Sequence, residues 1–282
     1  MQYGLYLPNY GAECSARSLA ELARESEEAG WDGFFIWDHL RGGMTKKVDP
    51  LVDPWVAMAA IAMNTSRIRF GTTVTPVPRR HPWKLAREAV TLDHLSGGRL
   101  TMSVGLGEPP EYTAFGHEAD PKVRAAMLDE ALEILTGLWS GKPFEYYGKY
   151  YQIKEKMAFR PVPLQQPRIP IWVGGFWPRK GPFRRAARWD GTIPLRRDSP
   201  ILLKPKDVCD ILAFIRQHRT SDALFDMVVI GWTPGDKPQK AKEKVGQYLK
   251  AGVTWWLESL YMERDSLEAM RKRIRQGPPK VE

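Results

Sequence analysis

Eight short apolar runs alternate with eight helical periodicities along this chain, and that alternation restricts its fold more than any other feature. The runs fall at 3–8, 32–39, 68–74, 99–105, 169–173, 190–195, 225–232 and 253–258. The second, DGFFIWDH, stays apolar through Ile36 and Trp37 and then turns polar at Asp38 and His39. Strands apolar on both faces are what a parallel sheet covered by helices requires. Between the runs, Ser18 opens a helix carrying Leu19, Leu22, Ala23 and Ala29 at helical spacing until Gly30. Further helices are expected at 54–63, between strands three and four up to Gly97-Gly98, and at 121–140, 181–188, 205–219, 237–251 and 263–275. The alternation fits either a closed (β/α)8 TIM barrel or an open doubly wound sheet. The open sheet calls for a GxGxxG in its first turn, and PNYGAECSAR lacks one, so the count of eight favours the barrel. A single barrel domain over 1–282 is expected, with one excursion near 141–168, where FEYYGKYYQI reads as a β-hairpin turning at Gly148.

A barrel of this kind carries its chemistry at the C-terminal ends of the strands. The residues there are Pro8 and Asn9, Asp38 and His39, Thr72 to Thr75, Gly105 to Glu108, Gly174 to Trp177, Pro194 to Arg197, Trp232 with Thr233, and Glu258. No GxSxG, Walker loop or HExxH occurs, and the five histidines show no metal-ligand spacing, so no metal is expected. One imidazole, a few carboxylates, several aromatics, paired glycines and arginines suit a bound organic cofactor to which the protein adds orientation and a proton.

Partners and compartment follow from charge and hydropathy. The net charge of +9 gathers at 179–188, at Arg196-Arg197 and at 271–275, with no nucleic-acid-binding motif around it. No nucleic-acid partner is expected; the two central clusters follow strands, where an anionic ligand would sit. No apolar run reaches 18 residues and the N-terminus enters a strand directly, which predicts no membrane association and a cytoplasmic protein. Cys14 and Cys209 form no pair motif and are expected as free thiols.

WDH after strand two, GTTVTPVPRRHPWKLAREAVTLDHLSGGRL after strand three, GLGEPPEYTAFG after strand four and IPIWVGG at strand five together resemble the bacterial luciferase-like flavin-dependent oxidoreductases. The likeness covers nearly the whole chain and is densest over 67–117. WDH and GLGE look closest to the members that use the deazaflavin coenzyme F420. The resemblance implies hydride transfer between F420 and a small-molecule organic substrate. Its alternative is an FMN-dependent two-component monooxygenase, which uses dioxygen and reduced FMN from a separate reductase. It also implies a flavin-type ring lying over the strand ends, backed by Thr72, Thr73 and Val74 at a non-proline cis peptide, Thr73-Val74 here.

Within that frame His39 handles the proton, and Asp38 is placed to orient it, although adjacent strand residues point to opposite faces. Glu108 matches an acid of the deazaflavin-dependent relatives, a role that needs desolvation. Gly105 and Gly107 admit the cofactor to the backbone. Gly174, Gly175 and Phe176 precede a helix N-terminus suited to its phosphate, assisted by Arg196 and the neighbouring Arg179, Lys180 and Arg197. Trp37, Trp177 and Trp232 form walls, and Trp172 packs in the core. The 40–53 loop would cover the substrate. Relatives of this kind often pair as homodimers.

Overall fold

Five of the strands carry their large side chains on both faces, so each needs helices outside and something to fill the space inside. The computed structural model describes residues 1–41, 50–197, 202–261 and 266–281. Its first half runs β1 (Gln2–Leu7), α1 (Ala16–Glu28), β2 (Gly33–Ile36), α2 (Pro54–Asn64), β3 (Arg69–Thr72), β4 (Thr75–Pro76), α3 (Pro82–Leu95), β5 (Met102–Gly105), α4 (Pro110–Thr113) and α5 (Pro121–Trp139). It continues through β6 (Phe144–Tyr147), β7 (Gln152–Met157), β8 (Ile171–Trp177), α6 (Lys180–Ala186), β9 (Gly191–Arg196), α7 (Pro205–Arg216), β10 (Asp226–Gly231), α8 (Pro238–Lys250), β11 (Trp255–Ser259) and α9 (Leu267–Arg275).

The main sheet is parallel in the order β3-β2-β1-β11-β10-β9-β8-β5-β4. Its two ends, β3 and β4, are halves of one strand interrupted at Thr73-Val74, where the peptide bond is cis. A bridge between Phe70 and Leu100 links that strand to the approach of β5, which closes the sheet. The result is the expected (β/α)8 barrel. β6 and β7 stand apart as an antiparallel hairpin, with the Gly148 N–H donating to the Tyr151 carbonyl at 2.9 Å.

Side-chain parity separates an outer core from an inner one. Phe34 and Ile36 of β2 belong to the large cluster under the helices, whereas Phe35 and Trp37 face the barrel axis. Phe35, Trp172 and Trp255 fill that axis with ring centroids 5.2 to 5.8 Å apart. Glycine makes the filling possible: a Cβ on Gly191 would lie 2.5 Å from the Trp172 ring. Trp172 is thus core, as its mid-strand position suggests, and its indole N–H donates to Asp226 at 3.1 Å.

Several boundaries differ from the sequence reading, each for a local reason. The first helix begins at Ala16, because Ser15 and Ser18 form a reciprocal capping box that places Ser18 inside the first turn. The strand expected to stop at 173 continues to Trp177, since Gly174 to Trp177 pair in register with Ile193 to Arg196. The last helix begins at Leu267, capped by Ser266, while 263–265 of its expected start lie outside the described residues, as does 42–49 of the expected covering loop. Among the described residues no helix is long and apolar enough to cross a membrane.

Candidate active site

The chain beyond β2 carries one imidazole, His39, at the C-terminal end of the sheet. Asn9, fully buried after β1, fixes the backbone there: its side-chain amide donates to the carbonyls of His39 at 3.0 Å and Val52 at 2.8 Å, and its oxygen accepts from the His39 N–H at 3.3 Å. The His39 side chain remains 31% exposed, on the same parity as Phe35 and Trp37, so it faces the barrel mouth. Its Nδ1 lies 3.0 Å from Glu111 Oε1. That same oxygen accepts from the Leu40 N–H at 2.8 Å and the Arg41 N–H at 3.3 Å, and Oε2 pairs with Arg79.

Glu111 is itself buried. Burial raises its pKa, but the hydrogen bonds from His39 and Leu40 with the charges of His39 and Arg79 outweigh it and hold the carboxyl at about 2, below the ordinary 4.5. A carboxylate offers only acceptors, so His39 carries its hydrogen on Nδ1 and presents Nε2 for other work. The same shift makes a testable statement about stability. Because the folded-state pKa is depressed, the contribution of Glu111 is complete above about pH 4.5 and is lost as the pH falls toward 2. It amounts to about 3 kcal/mol. Urea denaturation of wild type and Glu111→Gln at pH 5 and pH 3 should show the wild type losing most of its advantage over that interval; parallel losses in the two proteins would remove the linkage.

Asp38 takes the opposite face, as its parity requires. Its carboxylate is completely buried and is gripped by Arg79 and by both oxygens' contacts with Arg80 at 3.0 and 2.9 Å. Burial is the larger influence and raises its pKa, against the pull of Arg80 and Arg79. The group that orients His39 is therefore Glu111 and not Asp38, whose side chain has no opening to the mouth. Glu108, expected as a desolvated acid, is exposed, one helical turn before Glu111. Glu111 and the arginine pair escaped the sequence reading. A signal was present in PVPRRHP, where two adjacent arginines before an apolar helix demand buried carboxylate partners, and GLGEPPEY holds two candidates.

The remaining expected residues divide into those that face the mouth and those that do not. Val74 is half-buried, and a Cβ added to Gly105 or Gly174 would come within 2.5 and 2.9 Å of its methyl groups. Those glycines let β5 and β8 close around Val74, which packs against the inner cluster that holds Phe35 and Trp37. Thr73 is half-buried, with its N–H on the Ile36 carbonyl, while Thr72 is buried against Thr75. Gly107 turns the chain at φ 68°, and Arg124 holds that turn through the Leu106 and Gly107 carbonyls, both at 2.9 Å. Phe176 stands at the rim, 38% exposed. Gly174 and Gly175 lie within β8, so they form no loop ahead of a helix. Arg196 is committed to Asp207 at 3.0 to 3.1 Å, and Arg185 and Arg188 of the basic cluster are both committed to Asp129. Trp177 packs outward on Phe183 and Lys180.

Trp37, at the end of β2, stands in an aromatic wall. Trp37 contacts Tyr6, Tyr10, His39 and Tyr261, with centroids 4.8 to 5.8 Å away. Burial, reinforced by Tyr10 and Tyr261, raises the Tyr6 phenol, which stays protonated. The indole Nε1 of Trp37 is buried without a hydrogen-bond partner, an arrangement that costs about 1–3 kcal/mol. Val74 closed between two glycines, an aromatic wall, an unpartnered buried donor and a tethered imidazole fit a conjugated ring with a small substrate beside it. No cluster of potential metal ligands occurs among the described residues.

Comparison with known proteins gives four findings. The family model of luciferase-like monooxygenases matches residues 1–196. An uncharacterized protein of Mycobacterium tuberculosis is 34% identical over 270 residues, covering 90% of each chain. An F420-dependent glucose-6-phosphate dehydrogenase of Nakamurella multipartita is 33% identical over 168 residues, which is 57% of this chain and under half, 47%, of that protein. Among solved structures, the oxygenating constituent of 3,6-diketocamphane monooxygenase of Pseudomonas putida, in complex with FMN, superposes with a TM-score of 0.77 at 16% identity, covering 100% of this chain and 98% of that one.

Proposed function

Since the chain belongs to the luciferase-like monooxygenase family, we propose that it is an oxidoreductase moving a hydride between coenzyme F420 and a small organic substrate held in the barrel mouth. The observation that carries this reading is the His39–Glu111 pair, an imidazole tethered at Nδ1 and set against the rings of Tyr10 and Trp37. When bound, F420 supplies a two-electron hydride carrier. Hydride leaves or reaches a carbon only as a proton leaves or reaches its oxygen, and His39 moves that proton at Nε2. Glu111 holds Nδ1–H throughout and stabilises the imidazolium. Val74, with Gly105 and Gly174 closed around it, supports the ring, and Glu108 lies at the rim where it meets solvent or the substrate's outer end. Support for the deazaflavin over FMN comes from the stretch shared with the F420-dependent dehydrogenase.

Titrating the protein with F420 and with FMN while following the fluorescence of its 11 tryptophans tests the choice of cofactor. F420 should quench saturably at micromolar concentration. Tight FMN binding with no response to F420 would replace this reading by that of a monooxygenase served by a separate reductase.

A further inference from the structure

Glu111 holds the chain beyond β2 through one atom. Its Oε1 lies 3.0 Å from His39 Nδ1 and accepts from the Leu40 N–H at 2.8 Å and the Arg41 N–H at 3.3 Å. Contacts that converge on a single oxygen make a pivot, about which an imidazole can turn and carry its Nε2 through an arc. A second fixed point comes from the end of β1. A backbone rung from the Trp37 N–H to the Leu7 carbonyl, 3.0 Å long, lies just past β2. Two residues further along both chains, the Asn9 side chain takes the place of such a rung. Its oxygen accepts from the His39 N–H at 3.3 Å, and its nitrogen donates to the His39 carbonyl at 3.0 Å. An amide offers an acceptor and two donors, so it can grip both backbone groups of one residue as a neighbouring strand would. The second amide hydrogen goes to the Val52 carbonyl at 2.8 Å, and the Val52 N–H returns to the Asn9 carbonyl at 2.9 Å. Val52 precedes Asp53, which caps α2 through the Val56 N–H at 2.9 Å, and Tyr10 pairs with Leu51 alongside. The clamp is therefore itself braced by the start of a helix.

We infer that Asn9 is a positioning residue for the proton transfer assigned to His39. This rests on the reading of His39 as the proton carrier. Asn9 fixes the backbone from which the imidazole projects, Glu111 fixes Nδ1, and the two points together leave Nε2 a single direction. Neither constraint does so alone. Fully buried, Asn9 acts on the reaction through His39 and the segment at Val52. The side chain is specific to the task. Aspartate would set acceptors against two carbonyls that need a donor, glutamine carries its amide one carbon further out, and alanine leaves the His39 N–H and carbonyl without their partner. The ring is thus ordered before any cofactor arrives, so no ordering remains to be done at the moment of reaction.

Nuclear magnetic resonance of the cofactor-free protein, labelled with carbon-13 in its histidine rings and with nitrogen-15 throughout, tests this. In the wild type both Asn9 side-chain amide protons should exchange slowly with water, a measurement that needs no variant. The His39 Cε1–H order parameter, assigned by its absence from His39→Ala, should lie near that of rigid backbone, about 0.85. Asn9→Ala should lower it to about 0.6 or less, while His81, His94, His117 and His218 keep their wild-type values. Asn9→Asp, which preserves the volume, should have the same effect and serves if the alanine variant does not fold. Freely exchanging Asn9 amide protons, a His39 ring as ordered in the variants as in the wild type, or an equal loss of order at all five histidines overturns the inference, the last because it marks general loosening. The proposed function fails separately. Wild-type turnover in His39→Ala, or FMN binding in place of F420, sinks that reading and leaves the ordering of the ring by Asn9 standing.

Discussion

His39→Ala should lower turnover by about 10²–10⁴-fold, the range over which a positioned acid or base accelerates a proton transfer. The loss should fall on kcat, because the packing of Val74 between Gly105 and Gly174, where the ring is proposed to rest, does not depend on the imidazole. Free imidazole diffusing into the truncated site should restore part of the rate, which a merely structural histidine would not permit. Glu111→Ala should reproduce a smaller part of the effect with His39 still present. Without the carboxylate the Nδ1–H, Leu40 N–H and Arg41 N–H lose their common acceptor, and the ring is free to change tautomer and direction. Steady-state kinetics of the two variants, with and without imidazole, measure both effects. Wild-type turnover in His39→Ala would assign proton transfer to another group, and Glu108 at the rim would then be the next candidate.

The barrel was legible because its evidence is redundant. The alternation of an apolar run with a helical periodicity is repeated eight times, and an error at one boundary, such as Ser18 for Ala16, leaves that count intact. His39 was legible for a related reason, since the run FFIW fixes its parity as well as its place. The carboxylate beside it was not. Glu108 and Glu111 are three residues apart in a segment with two prolines, and which of them turns inward depends on the short helix α4 and on where Arg79 lies across the barrel rim. Periodicity carries no information about that, because four residues are too few to show a face. The diglycine failed similarly: Gly174-Gly175 reads locally as a loop, and only pairing with β9 keeps it in the strand.

Asp38→Ala should destabilise the protein by about 3–5 kcal/mol, the effect of removing one partner from a buried ion pair. Arg79 and Arg80 converge on this carboxylate with guanidinium side chains only 6% and 19% exposed, and they cannot shed their charge. Arg79 would retain Glu111 and the Asp38 carbonyl, but Arg80 would keep only the face of the Trp55 ring. The thermal midpoint should fall on the order of 10 °C for a chain of this size. A compensating change locates the cause: Asp38→Ala combined with Arg80→Met removes the orphaned charge and should recover part of the stability, a non-additivity expected only of groups in contact. The experiment also separates two roles for Asp38. A group that touched the cofactor would, on substitution, weaken F420 affinity and leave the cofactor-free protein as stable as before. A group that braces the loop would lower the midpoint of the cofactor-free protein first. The complete burial of the carboxylate predicts the second outcome, and with it that Asp38 serves the site by holding Arg79 in line with Glu111, which in turn holds His39.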